Sequence, residues 1–249
     1  MASDPFSLAG KSILVTGASS GIGRQVAIRC SERGARLVLS GRDASRLEHT
    51  LNALSGSGHR AQPADLTDSA QIQALSDAAE AIDGLFFSAG IASISPFRMI
   101  SEEHIRNLSR IDFEAPVLLV QRLLRGRQVR DGGSIVFNTS VSAYISPAGS
   151  AIYAATKAAL DAAARTLALE VAKSRIRVNS LHLGYVRTGL LAQLSKTSMN
   201  VEEMAALAPL GIGEVDDAAH AAIFLLSDAS RWMSRSVLTC DGGIRIRVA

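Results

Sequence analysis

Thr16-Gly17-Ala18-Ser19-Ser20-Gly21-Ile22-Gly23 is the stretch of sequence that decides the fold. It follows a short apolar run at residues 12–15 and opens a helical pattern over residues 21–33. Glycines let a backbone approach a pyrophosphate closely, and the start of a helix offers free N–H groups and partial positive charge to an anion. The order of strand, glycine-rich turn and helix therefore predicts a phosphate-binding site. A plain glycine-rich turn is the alternative interpretation.

The composition is typical of a globular protein. The chain has 249 residues, is 47% hydrophobic and 20% charged, and carries a net charge of +3. Because the basic residues are scattered, we expect no nucleic-acid partner. We also expect no signal peptide and no membrane span, since no apolar run reaches about 18 residues. Cys30 and Cys240 lack metal-ligand spacing, which indicates buried thiols, no metal site and a cytoplasmic location.

Short β-rich runs alternate with longer helical patterns along the chain, which predicts an α/β fold with a parallel sheet and helices on both faces. We expect one domain over residues 1–249. Residues 188–207 have a helical pattern with few anchoring residues, which indicates a lid insertion over about 188–208. The predicted strands cover residues 12–15, 36–40, a short run ending near 64, 85–88, 134–138, 176–181 and 237–239, and the longest predicted helices cover about 101–125 and 150–173.

The residues after the second and third strands bear on the choice of cofactor. No acidic residue ends the second strand, and Arg42 follows it, so NADP(H) is favoured over NAD(H), because an arginine can pair with a 2′-phosphate. Alternatively, Arg42 is merely solvated and Asp43 caps the next helix. Asp65 could accept a hydrogen bond from the adenine amino group or cap the helix that follows it.

Tyr153 and Lys157 are four residues apart in a helical pattern, which places them on one face. A phenol is a poor base at neutral pH unless a nearby positive charge favours the phenolate, and Lys157 supplies that charge. Ser140, at the end of the fifth strand, is the candidate for holding a substrate carbonyl while Tyr153 transfers a proton and a nicotinamide exchanges a hydride. The Tyr-x-x-x-Lys pattern alone is weak, but its place after Ser140 and the phosphate turn supports this role.

Over residues 11–243 the chain resembles the classical short-chain dehydrogenase/reductase family, including its 3-oxoacyl-acyl-carrier-protein reductases. The matching segments are Thr16 to Gly23, Asp65-Leu66, Ala89-Gly90, Asn138-Thr139-Ser140, Tyr153 to Lys157, Val178-Asn179-Ser180 and Asp241-Gly242-Gly243. The resemblance implies a seven-stranded Rossmann sheet, chemistry at Ser140 and Tyr153, and a ribose contact from Lys157. It also implies a homotetramer or homodimer paired through the two long central helices. The expected cofactor-binding residues are Gly17, Ser19, Ser20, Gly21, Ile22, Gly23, Arg42, Asp65, Leu66, Ala89, Gly90, Tyr153, Lys157 and Thr188.

Three positions depart from the family's pattern. Ser88 replaces an asparagine that braces the sheet, and Leu183 replaces a proline, which restores a backbone donor. Asp112, which we include in the catalytic set, replaces an asparagine that holds a water between the lysine and solvent. An ionised carboxylate donates no hydrogen bond and partly cancels the charge of Lys157, so we expect a working but altered proton relay. Thr188 either contacts the nicotinamide carboxamide or caps the lid helix, or does both.

Substrate identity is less well defined by the sequence. The residues expected on the substrate side are Ser93, Ser142, Tyr144, Ser150, Tyr185, Leu190 and Leu191. They suit many small carbonyls or alcohols, and each could equally be a packing residue. A second set could dock an acidic acyl carrier bearing a 3-oxoacyl thioester, although solvated loop charges are the favoured explanation; it comprises Arg125, Arg127, Arg130, Lys173 and Arg175.

Taken together, these patterns predict an NADP(H)-dependent oxidoreductase acting on a ketone or secondary alcohol. The alternative is a nucleotide-sensing binding protein that keeps the cofactor site but has little turnover, which the departures at Ser88, Asp112 and Leu183 leave open. Retention of Ser140, Tyr153 and Lys157 argues against the sensor, because sensing would not require all three.

Overall fold

A computed structural model describes residues 4–195 and 200–244. Within these residues the apolar runs form one seven-stranded sheet in the order β3-β2-β1-β4-β5-β6-β7, and every pairing in it is parallel. The predicted α/β class and seven-stranded Rossmann sheet are therefore confirmed. The strands are β1 (Ser12–Thr16), β2 (Arg36–Gly41), β3 (Arg60–Pro63), β4 (Ile82–Phe87), β5 (Val129–Ser140), β6 (Arg177–Leu183) and β7 (Val237–Cys240).

Helices cover both faces of the sheet, because the central strands carry apolar side chains on both sides. The helices are α1 (Gly21–Glu32), α2 (Ala44–Leu51), α3 (Ser69–Ala79), α4 (Glu102–Ser109), α5 (Ala115–Arg125), α6 (Ser142–Ile145), α7 (Ala151–Glu170), α8 (Gly189–Leu194), α9 (Val201–Leu207) and α10 (Val215–Leu226). One apolar cluster lies under α1 and α10, and the other lies under α3, α5 and α7. None of the helices in the described residues is both long and apolar enough to cross a membrane.

The predicted helix over residues 101–125 is interrupted. Helix α4 passes through a π-helical turn at Arg110–Glu114 before it continues as α5. The wider turn brings Asp112 into the interior, where it is 1% exposed. Such π-helical insertions often mark functional sites.

The order in which successive strands are added to the sheet reverses between β1 and β4. The chain passes from β1 to β2 and β3 on one side, then returns to place β4 on the other side of β1. The hydroxyl of Thr16, at the end of β1, accepts hydrogen bonds from the backbone N–H groups of Ser88 and Ala89 at 3.1 and 3.2 Å. These bonds join the ends of β1 and β4 at the point where ligands bind in open α/β sheets.

Several predicted boundaries were wrong. Strand β4 ends at Phe87, so Ser88 lies just beyond it, and β5 begins at Val129 rather than at residue 134. The Asp131-Gly132-Gly133 signal, which resembled a turn before β5, is an irregularity inside it: Ile82 pairs with Val129 and Gly84 with Ser134. A bulge uses the same positive-φ glycine as a turn, so local sequence does not distinguish the two.

The helix expected to open directly after Asp65 begins later, at Ser69. Asp68 caps it by accepting hydrogen bonds from the N–H groups of Ala70 and Gln71. The alternative interpretation of Asp65 as a helix cap is therefore wrong. Its carboxylate instead accepts from both the N–H and the hydroxyl of Thr67.

The segment after β6 is helical, as its pattern indicates. Helices α8 and α9 lie within the predicted insertion at about 188–208, and residues 196–199 of that prediction lie outside the described residues. The side chain of Thr188 accepts a hydrogen bond from the N–H of Leu191, so it is the N-cap of α8.

Candidate active site

The carboxyl ends of the strands around β1 and β4 open on a cavity of about 490 Å³. All the residues expected to bind the cofactor line it, including the glycine-rich turn, Arg42, the pair Asp65-Leu66 and the pair Ala89-Gly90. Tyr153, Lys157 and Thr188 lie on its wall as well. The structure thus brings together residues that are up to 171 positions apart, from Gly17 to Thr188.

Two glycines of the phosphate turn are required by close packing. Gly17 has φ of +66°, and a Cβ there would lie 2.8 Å from the backbone nitrogen of Ala89. A Cβ at Gly23 would lie 2.4 Å from the carbonyl oxygen of Gly17, closer than atoms can approach. Any side chain at Gly23 would therefore push the start of α1 away from the turn.

The turn presents free donors to the cavity. Ser20 precedes α1 as its N-cap, but its side chain makes no capping hydrogen bond, so the N–H groups of the first helical turn remain available to an anion. Two hydrogen bonds at Ala18 hold the rest of the turn in place. The N–H of Ala18 donates to the carbonyl of Ser40, and the carbonyl of Ala18 accepts from the hydroxyl of Thr50. This rigid arrangement fits the pyrophosphate of a dinucleotide.

The wall of the cavity carries two arginines, Arg42 and Arg46, where β2 ends and α2 begins. Asp43 caps α2 by accepting from the N–H of Arg46, while Arg42 is exposed and lines the cavity. Arg46 lines the same cavity and was missed by sequence reasoning, although its position four residues after Arg42 was a usable signal. Hydrogen bonds from Thr67 hold the pKa of Asp65 below its ordinary value, so Asp65 stays a negatively charged acceptor.

Tyr153 and Lys157 project from one face of α7, as their spacing predicts. The Lys157 Nζ lies 5.5 Å from the centre of the Tyr153 ring, and Lys157 is only 6% exposed. Tyr153 lines both the large cavity and a smaller one of about 130 Å³ beside it. Ser140 lines the smaller cavity, and its Oγ accepts a hydrogen bond from the N–H of Ser142. The hydroxyl of Ser140 therefore keeps its own hydrogen for another acceptor.

Asp112 forms a buried ion pair with Lys157. The Lys157 Nζ donates to Asp112 Oδ1 at 3.1 Å, and the same oxygen accepts from the N–H of Ile91 at 3.2 Å. Burial lowers the pKa of Lys157, but the charges of Asp112, Tyr153 and Asp161 outweigh burial and raise that pKa above its ordinary value. Lys157 therefore carries a positive charge beside Tyr153.

The other two departures from the family pattern are accommodated by neighbouring groups. The Oγ of Ser88 accepts from the Nδ2 of Asn138 at 3.0 Å, which links the ends of β4 and β5 through side chains. Asn138 lines both cavities; in the sequence it is part of a segment that matches the family, but it was given no role at the site. Leu183 extends β6 beyond its predicted end, and its carbonyl accepts from the N–H of Val141.

The expected substrate-side residues divide into two groups. Ser142, Tyr185, Leu190 and Leu191 line the smaller cavity, whereas Ser93, Tyr144 and Ser150 line neither cavity. The Oγ of Ser150 donates to the carbonyl of Pro147, and the ring of Tyr144 stacks on His182.

The five basic residues considered for carrier docking are exposed. Arg130 forms an ion pair with Asp83 at 2.7 Å. All five precede or begin β5 and β6, so they lie at the amino ends of these strands, and the cavities lie at the carboxyl ends.

Comparison with known proteins identifies the family. The family described as "Enoyl-(Acyl carrier protein) reductase" matches residues 17–245. Cis-4-hydroxycyclohexanecarboxylate dehydrogenase of Sinomonas cyclohexanicum is 35% identical, with 92% of this chain and 94% of that protein covered. D-erythrulose reductase of Gallus gallus is 32% identical, with 97% and 98% covered. A crystal structure of a short-chain type dehydrogenase/reductase from Mycobacterium marinum has 29% identity and a TM-score of 0.88, with 96% and 97% covered.

The chain therefore belongs to the short-chain dehydrogenase/reductase family. It is an oxidoreductase of CH–OH and C=O groups in small molecules, and it uses a nicotinamide cofactor. The described site agrees with such a cofactor, since free helix N–H groups, a glycine cradle and a carboxylate acceptor line one cavity.

We predict that Gly23→Ala abolishes measurable binding of NADPH and NADH in a fluorescence titration, because the added methyl would collide with the carbonyl of Gly17. Gly189→Ala is the matched control, since Gly189 lines the same cavity but a Cβ there meets no atom within 4 Å. Equal binding by the two variants would contradict the packing argument.

Proposed function

We propose that the protein is an NADP(H)-dependent reductase or dehydrogenase of a ketone or secondary alcohol, in which Tyr153 transfers the proton. One observation carries this proposal: Tyr153 lies on the wall shared by the two cavities, beside the buried charge of Lys157. A cofactor in the larger cavity and a substrate in the smaller one would meet at this residue.

Ser140, Tyr153 and Lys157 each have a separate role in the proposed reduction of a carbonyl group. The bound cofactor supplies the hydride or accepts it in the reverse direction. Ser140 donates its free hydrogen to the carbonyl oxygen and so orients it, while the hydroxyl of Tyr153 gives its proton to that oxygen as negative charge develops there. The ammonium group of Lys157 stabilises the phenolate that remains. In alcohol oxidation the same phenolate removes the proton.

The preference for NADP(H) rests on charge at the end of the larger cavity. Arg42 and Arg46 both line this end and are exposed, so a 2′-phosphate would gain two cationic partners. Asp43 is occupied in capping α2, which leaves Asp65 as the other acid there. Asp65 remains the proposed acceptor for the adenine amino group.

The lining of the smaller cavity indicates an uncharged substrate. Within the described part of the chain, its wall carries no Lys, Arg, His, Asp or Glu side chain, and aliphatic groups such as Ile145, Leu183 and Leu191 dominate it. Burying a carboxylate there without a partner would be costly. We propose a neutral, compact ketone or secondary alcohol, or the acyl part of a 3-oxoacyl thioester. Helix α8 contributes Leu190 and Leu191 to this wall, and we take it as the functional part of the proposed lid at about 188–208.

We further propose that the protein is a cytoplasmic homo-oligomer, a tetramer or dimer, paired through α5 and α7. Leu118 of α5 and Leu169 of α7 are 38% and 61% exposed. A second copy of the chain would remove these apolar side chains from water.

The first test of the function is the variant Tyr153→Phe, assayed with NADPH and a panel of ketones and 3-oxoacyl thioesters. We expect kcat to fall by at least about 100-fold, the usual size of a general acid–base contribution, while NADPH binding is retained. Tyr144→Phe is the control, because Tyr144 lines neither cavity. Turnover that survives in Tyr153→Phe would refute the role of the phenol. Binding by the unmodified protein with no turnover on the whole panel would favour the nucleotide sensor.

Cofactor preference is tested by the double variant Arg42→Ala/Arg46→Ala. We expect KM for NADPH to rise by about tenfold or more with little change for NADH, because only the 2′-phosphate loses its partners. Arg24→Ala is the control, because it also removes an arginine but Arg24 does not line the cavity. An equal loss for both cofactors would contradict the assignment.

The uncharged substrate pocket is tested with paired ketones that differ by a carboxylate, such as cyclohexanone and 4-oxocyclohexanecarboxylate. We expect kcat/KM to be at least about tenfold higher for the neutral ketone, since the carboxylate loses water without gaining a cation. A preference for the carboxylate would show that a cation reaches the pocket.

A further inference from the structure

A second buried acid–base pair lies behind the Tyr153 and Lys157 couple. The Nε2 of His182, on β6, lies 2.6 Å from the Oδ2 of Asp161, on α7, and each residue is 5% exposed. Asp161 follows Lys157 by four residues, so it lies one helical turn further along the same face of α7. Leu183, the next residue after His182, pairs with Ser140. The pair therefore joins the helix of Tyr153 to the strand beside Ser140.

With Asp112 and Asp161 both ionised, the charges of the buried groups balance when His182 is protonated. Asp112 and Asp161 are two carboxylates, and Lys157 supplies one positive charge. A neutral His182 would leave one net negative charge among four groups that are each at most 6% exposed, which is costly in a protein interior. A proton on His182 brings the sum to zero. The 2.6 Å contact of Nε2 with Oδ2 is typical of a hydrogen bond in which at least one partner is charged.

The charge of Asp161 reaches the catalytic lysine. It is one of the charges, with those of Asp112 and Tyr153, that raise the pKa of Lys157 against the lowering effect of burial. An Asp161 without a counter-charge would compete with the phenolate of Tyr153 for the positive charge of Lys157. His182 removes that competition if it carries a proton.

We propose that Asp161 and His182 are a positioning pair in which protonated His182 neutralises Asp161, so that the charge of Lys157 remains available to Asp112 and Tyr153. The same bond ties α7 to β6 and so aligns Tyr153 with Ser140. This inference rests on the proposed role of Tyr153. It adds two residues to the site that neither spacing nor the family's pattern singled out.

The other groups around His182 do not supply a negative charge that could replace Asp161 as its partner. The ring of Tyr144, on α6, stacks on the imidazole at 5.7 Å, and its hydroxyl reaches Asp241 at 3.5 Å. Burial and the charge of Asp241 raise the pKa of Tyr144, so that phenol stays neutral. The facing strand residues are Thr139 on β5 and Thr239 on β7, and neither titrates in this range.

Further titratable residues on the elements packed against His182 include Cys240 at the end of β7 and Lys157 on α7. Burial raises the pKa of the Cys240 thiol, which keeps it uncharged at neutral pH. Asp161 is therefore the anion in contact with His182 in the described part of the chain.

The proposal is tested by the pH profile of kcat/KM for alcohol oxidation, whose rising limb reports formation of the phenolate. In His182→Gln the charge of Asp161 is unopposed, so we expect the midpoint to move up by roughly 0.5 to 1 pH unit. Adding Asp161→Asn to that variant removes the unopposed charge, and we expect the midpoint to return to that of the unmodified protein. Asp161→Asn alone should give no upward shift.

Glu170→Gln is the matched control, because it removes an exposed carboxylate from the same helix and should leave the midpoint in place. A purely structural pair predicts a different result: each substitution lowers kcat at every pH, and the double variant is no better than His182→Gln. That outcome, or a midpoint that stays unchanged in His182→Gln, would overturn the proposal.

A second measurement does not depend on turnover or on the stability of a variant. Nitrogen-15 NMR of the imidazole in the unmodified, cofactor-free protein distinguishes the cation from the neutral ring, and a resonance missing from His182→Gln assigns the signal. We expect the cationic signature at pH 7. A neutral signature would refute the pair even if Tyr153 is the acid–base residue. A cationic signature with active Tyr153→Phe would leave the pair intact and refute the proposed function instead.

Discussion

The site depends on one positive charge that is held inside the protein. The ammonium group of Lys157 is nearly excluded from water, and its stability requires the carboxylate of Asp112 at 3.1 Å. Three segments converge to make this possible: α7, the π-helical turn before α5, and the loop at Gly90 and Ile91 that follows β4. Gly90 has no room for a side chain, since a Cβ would lie 2.6 Å from Asp112 Oδ1 and 3.4 Å from Lys157 Nζ. Gly90 is thus as much a requirement of the ion pair as of the cofactor cavity.

An asparagine at position 112 would leave Lys157 with a neutral neighbour. The aspartate instead forms a salt bridge with Lys157, and the effects of the two opposite charges on more distant groups partly cancel. The aspartate at position 112 makes the wider charge balance of the interior important, because a second buried aspartate, Asp161, lies one helical turn from Lys157 on α7. His182 gives that aspartate a partner. In the proposed mechanism, proton transfer at Tyr153 therefore responds to groups on β6 and in the π-helical turn as well as to its immediate neighbour.

Much of the site was predictable because its parts follow local rules. A glycine-rich turn between a strand and a helix, and a tyrosine four residues before a lysine on a helix, are short-range patterns, and their residues line one cavity as expected. The failures also have local causes. The bulge in β5 uses a glycine with φ of +81° where a turn would use one, and the Asp65 carboxylate bonds to Thr67 instead of starting a helix. In both cases the same short sequence is compatible with two different local structures.

The sequence by itself determined the class of fold, the glycine-rich turn and the side chains proposed to react, since periodicity, glycine placement and i to i+4 spacing act over one or two turns of chain. Only the tertiary structure decided which polar groups meet across elements. Ser88 meets Asn138 across 50 positions, Asp112 meets Lys157 across 45, and Asp161 meets His182 across 21. These contacts are set by strand register and by how α7 packs on the sheet, and no local rule of sequence encodes either.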